Sequence, residues 1–295
     1  MRIIELYRQK APLLSLEIFP PRMAYPLESV FDTVQELKRL NPAYISVTYG
    51  AGGSNRERTV EIAARVKKEY GIEAQAHLTC IGHRQEDIKN ILARLNREGI
   101  CNIMALRGDI PEDEPEFDFR RQEYHYAFEL IRDIRAAYGD SFGIAAAAHP
   151  EGHPECPRLK DDIFHLKNKV DNGVDFLITQ LFFDNRIFFD FWERCQAMGI
   201  NCPVIPGIMP VLNAGQIKRM IYLCGASMPA GLLKLVDKYE KEPVDMEKAG
   251  IDYASQQIKE LLENAVAGVH LYSMNKPRQI SEIVYNIGLA SPGKY

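Results

Sequence analysis

Along this chain, short apolar runs alternate with longer stretches in which apolar residues recur every three or four positions. The short runs are Leu13–Phe19, Ala43–Tyr49, Ala74–Cys80, Cys101–Gly108, Phe142–Ala148, Phe176–Phe183, Pro203–Ile208 and Gly268–Met274. Most hold too few polar residues for a sheet with one wet face, so they predict parallel strands covered on both sides. The longer stretches, among them SVFDTVQELKRL, RERTVEIAARVKKEYG, RQEDIKNILARLNREG and DMEKAGIDYASQQIKELLENA, have the helical period. Several end on a glycine suited to a left-handed helix terminus: Gly71, Gly99, Gly139, Gly173, Gly199 and Gly225.

Eight strand–helix units in 295 residues predict an α/β fold, a (β/α)8 TIM barrel. An open doubly wound sheet would show fewer strands and a glycine fingerprint after the first. The seventh unit is irregular, with GASMPAGLLKLVDKYEKEPVD inserted before the long helix that follows it. No linker, repeat or low-complexity stretch divides the chain, so residues 1–295 read as a single catalytic domain.

Composition narrows the function. With 46% apolar and 26% charged residues the chain can bury a large core. A net charge of -4 argues against nucleic acid, which needs clustered Lys and Arg, and favours small-molecule partners. The first residues, MRIIELYRQKAPLLSLEIF, mix charges into apolar positions and carry no export signal. No window approaches the roughly 18 uninterrupted apolar residues of a membrane helix, so a cytoplasmic location is expected. Six cysteines without a C-x-x-C pair read as reduced thiols rather than a metal site or disulfides.

In a β/α barrel, chemistry gathers at the C-terminal strand ends. There the chain places Glu17, Thr48, His77, Arg107, Asp109, His149, His153, Gln180 and Lys276. Glu17, between Leu16 and Ile18, is expected in a poorly solvated barrel mouth, where a carboxyl can stay protonated and act as a general acid. The alternative is a structural carboxylate paired with a barrel Arg or Lys. In LRGD, Arg107 stands beside Asp109 and could neutralise it, which leaves a structural ion pair open. YGAGGSN is a glycine-rich turn whose N–H groups could meet a phosphate or a flat ring, but Asn55 breaks the dinucleotide spacing. His149 and His153 flank prolines and a glycine, which disfavours the helical geometry of a zinc site, so no metal is expected. His125 and His270 read as structural residues, and FFDNRIFFDFW as helix packing.

The strings SLEIFPPR, SVTYGAGGS, AHLTC, ALRGD, HPEGHPE, KVDNG with DFLITQLFFD, PGIMPV and HLYSMNK, in that order, resemble the methylenetetrahydrofolate reductases over almost the whole chain. The resemblance implies a barrel carrying non-covalent FAD, which passes a hydride from NADH or NADPH to 5,10-methylenetetrahydrofolate by ping-pong turnover. It makes Glu17 the acid that assists opening of the imidazolidine ring, and Asp109 a carboxylate near flavin and pterin. It assigns flavin contacts to Thr48, Tyr49, Ala51, His77, Arg107, Gly108, Asp109, His149, His153, Asp162, His165, Asn168 and Lys169, the basic ones suited to the pyrophosphate. Gln180, Lys276 and Thr48 become substrate contacts.

The chain also departs from the family pattern. His149 replaces a Tyr, while His165 and Asn168 replace an Asn and an Arg. Lys276 replaces an Arg that grips the folate tail, losing the fork. Ala214 replaces a Phe that packs on the ligand, which leaves an electron-donor partner protein open in place of the nicotinamide. The family resemblance further implies a homo-oligomer. Two other readings are a proline-dehydrogenase-like flavoenzyme, for which Lys276 and Arg278 are a poor carboxylate clamp, and a non-catalytic folate- or flavin-binding subunit.

Overall fold

Pleating sends alternate side chains of a strand to opposite faces, and here both faces are buried for different reasons. The computed structural model describes residues 1–8, 11–49, 56–110 and 117–289. Its strands are β1 (Leu13–Ile18), β2 (Tyr44–Val47), β3 (Glu73–Thr79), β4 (Asn102–Leu106), β5 (Gly143–Ala148), β6 (Phe176–Thr179), β7 (Val204–Ile205), β8 (Gly207–Ile208) and β9 (Gly268–Tyr272). They pair in the order β7-β6-β5-β4-β3-β2-β1-β9-β8, every pair parallel. Because β7 and β8 are two pieces of the seventh apolar run, the ends of the sheet meet and the expected α/β barrel closes.

Pro206 makes the break, since it has no N–H to give to the ladder. Its carbonyl still accepts from His270 N at 3.0 Å. Side chains complete the seam: Gly207 N donates to Thr179 Oγ1 at 2.9 Å, and Tyr272 OH donates to the Thr179 carbonyl at 2.7 Å.

The helices follow the expected alternation: α1 (Ile3–Leu6), α2 (Ser29–Lys38), α3 (Arg56–Lys68), α4 (Gln85–Arg97), α5 (Ala127–Tyr138), α6 (Leu159–Asp171), α7 (Asn185–Ala197), α8 (Ala214–Cys224), α9 (Ala230–Tyr239), α10 (Pro243–Glu263) and α11 (Pro277–Asn286). The inserted stretch of the seventh unit supplies α9. All six glycines expected to end helices have positive φ, from +52° to +115°. The aromatic run packs as expected, with Phe188 and Phe191 of α7 buried. None of the described helices is long and apolar enough to cross a membrane. All six cysteines are free thiols; Cys80 and Cys195 are buried and the other four half-buried.

Leu14, Leu16, Ile18, Ile45 and Val47 point outward and join the main core with Val30, Val34 and Leu37 of α2. The inward positions are unusually polar: Ser15, Glu17, Ser46, Gln75, His77 and His270 are all buried. The N-terminal end of the barrel is plugged by α1, whose Ile3 clusters with Tyr7, Tyr44, Phe176, Ile178 and Ile205. Several strands end earlier than their apolar runs. Leu181 and Phe183, for example, leave β6 to join Met209, Val211, Ile217 and Leu232 in a second cluster. An apolar residue just past a strand marks burial under a helix as readily as continuation of the ladder.

Candidate active site

The chemistry-bearing residues converge on a cleft of about 1430 Å³ over the C-terminal strand ends. Ligand pockets commonly run to about 1,000 Å³, so this one has room for more than a single small molecule. Of the residues expected there, Thr48, Tyr49, His77, Arg107, Gly108, Asp109, His149, His153, Asp162, His165, Asn168, Lys169 and Gln180 line it. Ala51 lies outside the described residues, as does the rest of the glycine-rich turn, 50–55.

Glu17 is not among the residues that line the cleft; it is buried in the barrel beside His77, which does line it. Its Oε2 lies 3.4 Å from His77 Nε2 and 3.6 Å from His270 Nε2. Each imidazole is held in turn: His77 Nε2 is 2.9 Å from Ser46 Oγ, and His270 Nδ1 is 2.9 Å from Ser15 Oγ. Among the described residues no Arg or Lys lies within ion-pair distance of Glu17, whose neighbours at that distance are the two imidazoles. Glu17 is buried, as a poorly solvated position should be, and its neighbours are polar. Leu16 and Ile18 point to the helices, and parity turns Glu17 toward the imidazoles and hydroxyls of neighbouring strands. His77 has its pKa lowered, first by burial, against the pull of Glu17. A neutral imidazole is therefore what faces the carboxyl at neutral pH.

The backbone carrying Glu17 is fixed from β9. Ser273 N donates to the Glu17 carbonyl at 3.2 Å, and the Ser273 hydroxyl also donates to it. Asn275 then holds Phe19 twice, accepting from its N–H at 3.0 Å and donating to its carbonyl at 2.9 Å. Met274 and Asn275 adopt φ of 52° and 53°, the left-handed conformation that Asn tolerates better than most residues.

On the opposite wall, Arg107 forks onto Glu155, Nη1 to Oε2 at 2.5 Å and Nη2 to Oε1 at 2.7 Å. Arg107 is thus not paired with Asp109 as LRGD suggested, and Asp109 is left exposed at the rim. Gly108, at φ +89°, brings the chain against Thr79, where a Cβ would lie 2.9 Å from the Thr79 Cβ. Lys169 Nζ donates to the Ala147 carbonyl at 2.6 Å, and burial pushes its pKa down to about 8. Burial, with Lys169 nearby, takes His149 down to about 3. His149 and His153 meet edge to face at 4.8 Å. Burial and the Arg107 charge lower His153 as well. The cationic members of this wall are therefore Arg107 and Lys169, not the histidines. Asn168 Oδ1 accepts from Asn172 Nδ2 at 3.1 Å. Gln180 Oε1 accepts from Leu181 N at 2.9 Å, leaving its amide N–H groups for the cleft.

Two expected positions fall elsewhere. Lys276 is exposed at the N-cap of α11 and does not line the cleft. Ala214 is buried in the second cluster with Leu181 and Phe183, so its small size does not open the cleft. His270 and Ser15 were missed as neighbours of Glu17. The parity of HLY on β9, with His270 two residues before inward-facing Tyr272, was the available signal.

A parallel β/α barrel with a large cleft over its C-terminal strand ends and a buried carboxyl beside a cleft-lining histidine has the architecture of a barrel enzyme. Residues 2–288 match the family model for methylenetetrahydrofolate reductase, and the chain belongs to that family. It is 34% identical over 276 residues to 5,10-methylenetetrahydrofolate reductase of Pectobacterium carotovorum, covering 94% of this chain and 90% of that protein. It is also 34% identical over 302 residues to methylenetetrahydrofolate reductase (NADH) 1 of Arabidopsis thaliana, covering 99% of this chain. The chain spans about half the length of that plant relative, 51%. Among solved structures, an uncharacterized protein from Clostridium thermocellum, described as binding two copies of 5-methyl-5,6,7,8-tetrahydrofolic acid, shares the fold at TM-score 0.65 and 13% identity, with 96% of each chain covered.

Proposed function

We propose that this chain reduces 5,10-methylenetetrahydrofolate to 5-methyltetrahydrofolate, using non-covalent FAD and NADH or NADPH. The observation that carries the reading is Glu17, a buried carboxyl facing two imidazoles, one of which, His77, lines a cleft large enough for a cofactor and a substrate. The cleft residues suit a flavin. Thr48 Oγ1 is buried and has no hydrogen-bond partner among the described residues, the kind of atom a ring edge satisfies. Arg107 and Lys169 stand where a phosphate needs cations, beside the Gly108 close approach. When bound, the flavin supplies the hydride relay between nicotinamide and folate.

The side chains do the rest. Glu17 gives its proton to the imidazolidine nitrogen that leaves when the ring opens, and the folate becomes a 5-iminium cation. Asp109, exposed on the cleft wall, stabilises that positive charge. Gln180 offers its amide N–H groups to the ligand and fixes its orientation. One proton and one hydride enter the substrate for each nicotinamide oxidised. The nicotinamide is the better donor reading than a partner protein, because Ala214 does not shape the cleft.

The test is the absorption spectrum of the purified protein, followed anaerobically. A flavin spectrum that bleaches with NADH or NADPH and returns on adding methylenetetrahydrofolate is expected. A protein that neither contains nor binds flavin would overturn the reading.

Lys169 gives this site a pH signature. Its ammonium predominates below about pH 8 and is lost as pH rises through that value. Flavin phosphate prefers the charged form, so binding is tightest below the free protein's pKa. The flavin dissociation constant should climb above pH 8 by up to about tenfold per pH unit. Equilibrium titration from pH 7 to 9.5 measures it, and Lys169→Met should flatten the curve. A flat wild-type curve would take Lys169 out of the phosphate site.

A further inference from the structure

Glu17, Ser46 and Gln75 occupy one row across three neighbouring strands, since Glu17 pairs with Ser46 and Ser46 with Gln75. All three are buried, and His77 lies on the same face two residues further along β3. The function proposed above uses Glu17 and leaves Gln75 without a task. Gln75 Oε1 accepts from Ser46 Oγ at 3.1 Å, and Gln75 Nε2 is buried with no hydrogen-bond partner among the described residues. A buried amide with one end unpaired weakens a barrel interior, so packing is a poor account of its presence.

What the amide does follows from counting hydrogens. Burial lowers the pKa of His77 despite the pull of Glu17, so the ring carries a single N–H at neutral pH. Ser46 Oγ lies 2.9 Å from His77 Nε2 and has one hydrogen to give. An amide oxygen can only accept, whereas a nitrogen of a neutral imidazole can take either part. With the Ser46 hydrogen committed to Gln75, His77 must bring its own to the contact with Ser46, which puts it on Nε2. That nitrogen is also 3.4 Å from Glu17 Oε2, so the carboxyl meets a donor. In the other tautomer a bare Nε2 would face the carboxyl and compete for the proton meant for the folate. A donor works the opposite way, because its bond strengthens as negative charge appears on the carboxylate when the proton leaves.

We infer that Gln75 is a positioning residue for the acid: it takes the hydrogen of Ser46, fixes His77 with its own hydrogen on Nε2, and so presents Glu17 with a donor. The kinetic consequence rests on the proposed role of Glu17, while the tautomer of His77 does not. Gln75→Met is the variant to make, since methionine has the length of glutamine and only a weakly accepting sulfur. There the Ser46 hydrogen is free to turn to His77 Nε2, and the imidazole hydrogen moves to Nδ1. Adding Ser46→Ala to Gln75→Met removes the competing hydrogen, and His77 regains its donor toward Glu17.

Nitrogen NMR on protein carrying isotope-labelled histidine separates the two tautomers, with the His77 signals assigned by their loss in His77→Gln. The wild type should show His77 protonated on Nε2 and Gln75→Met should show it on Nδ1. In the flavin-loaded full chain, reoxidation by methylenetetrahydrofolate should slow about tenfold in Gln75→Met, the low end for a hydrogen bond to a charged group. Reduction by the nicotinamide nucleotide should keep its rate. The double variant should return the tautomer and recover most of the lost rate, whereas damage to packing would add. Rates are taken per bound flavin, so partial loss of folded protein does not change them. His77 protonated on Nδ1 in the wild type, the arrangement an amide turned end for end would impose, would sink the inference. So would a tautomer unchanged by Gln75→Met, equal slowing of both half-reactions, or a double variant slower than the single one. If the wild type transfers nothing to the folate, the proposed reaction is what fails, and the NMR comparison decides by itself: a tautomer that changes with Gln75→Met supports the inference and one that does not overturns it.

Discussion

Glu17→Gln is expected to lower turnover by about 10²–10⁴-fold, the usual worth of a positioned general acid, while the flavin stays bound and is still reduced by NADH. The amide has the size of the carboxyl, and His77 and His270 keep their own bonds to Ser46 and Ser15, so the barrel interior keeps its shape. What it lacks is an acidic proton for the leaving nitrogen. The loss should fall on reoxidation by methylenetetrahydrofolate, because the nicotinamide half of the cycle requires no proton at the folate. Stopped-flow measurement of the two half-reactions separates them. Equal slowing of both would make Glu17 a structural residue. A wild type that binds folate and flavin but transfers nothing would favour the non-catalytic subunit.

The second large effect concerns the seam of the barrel. Gly207 has no room for a side chain: a Cβ there would collide with the Thr179 carbonyl and lie 2.8 Å from Tyr272 Cε2 and OH. These are the groups that close the sheet around Pro206, so relief on one side breaks the Tyr272–Thr179 bond on the other. Gly207→Ala should cost about 3 kcal/mol, at the upper end of core overpacking, and lower the melting temperature by about 5–10 °C. Thermal unfolding followed by circular dichroism measures this. A shift within a degree of wild type would show that the seam yields without loss.

Most of the architecture was legible in the chain because the period changes so plainly. Runs such as AYISVTY and FLITQLFF cannot face water, and the stretches between them have a helical stripe. What misled was the meaning of an apolar neighbour. In a strand, residues on either side of Glu17 describe the opposite face, so Leu16 and Ile18 said nothing about what the carboxyl meets. His270 was passed over for the same reason, since its significance comes from register with β1, a contact across more than 250 positions of chain. Arg107 shows a different limit. Adjacency to Asp109 suggested a pair, yet the pleat and the Gly108 turn separate them, and Glu155 from the next loop takes the fork. The early helix α1, only four residues long, carries too little periodicity to be read, although its burial under the barrel is complete at Ile3.

Asn275 lends the barrel a rung that no strand provides. Its side-chain amide engages the peptide of Phe19 as a neighbouring backbone would, one donor and one acceptor, although β1 ends at Ile18. The carboxylate at position 17 consequently sits inside a continuous hydrogen-bonded lattice instead of at its frayed edge. A proton donor mounted this way needs little rearrangement when a ligand arrives, because the left-handed kink at Met274 and Asn275 has already absorbed the conformational cost during folding.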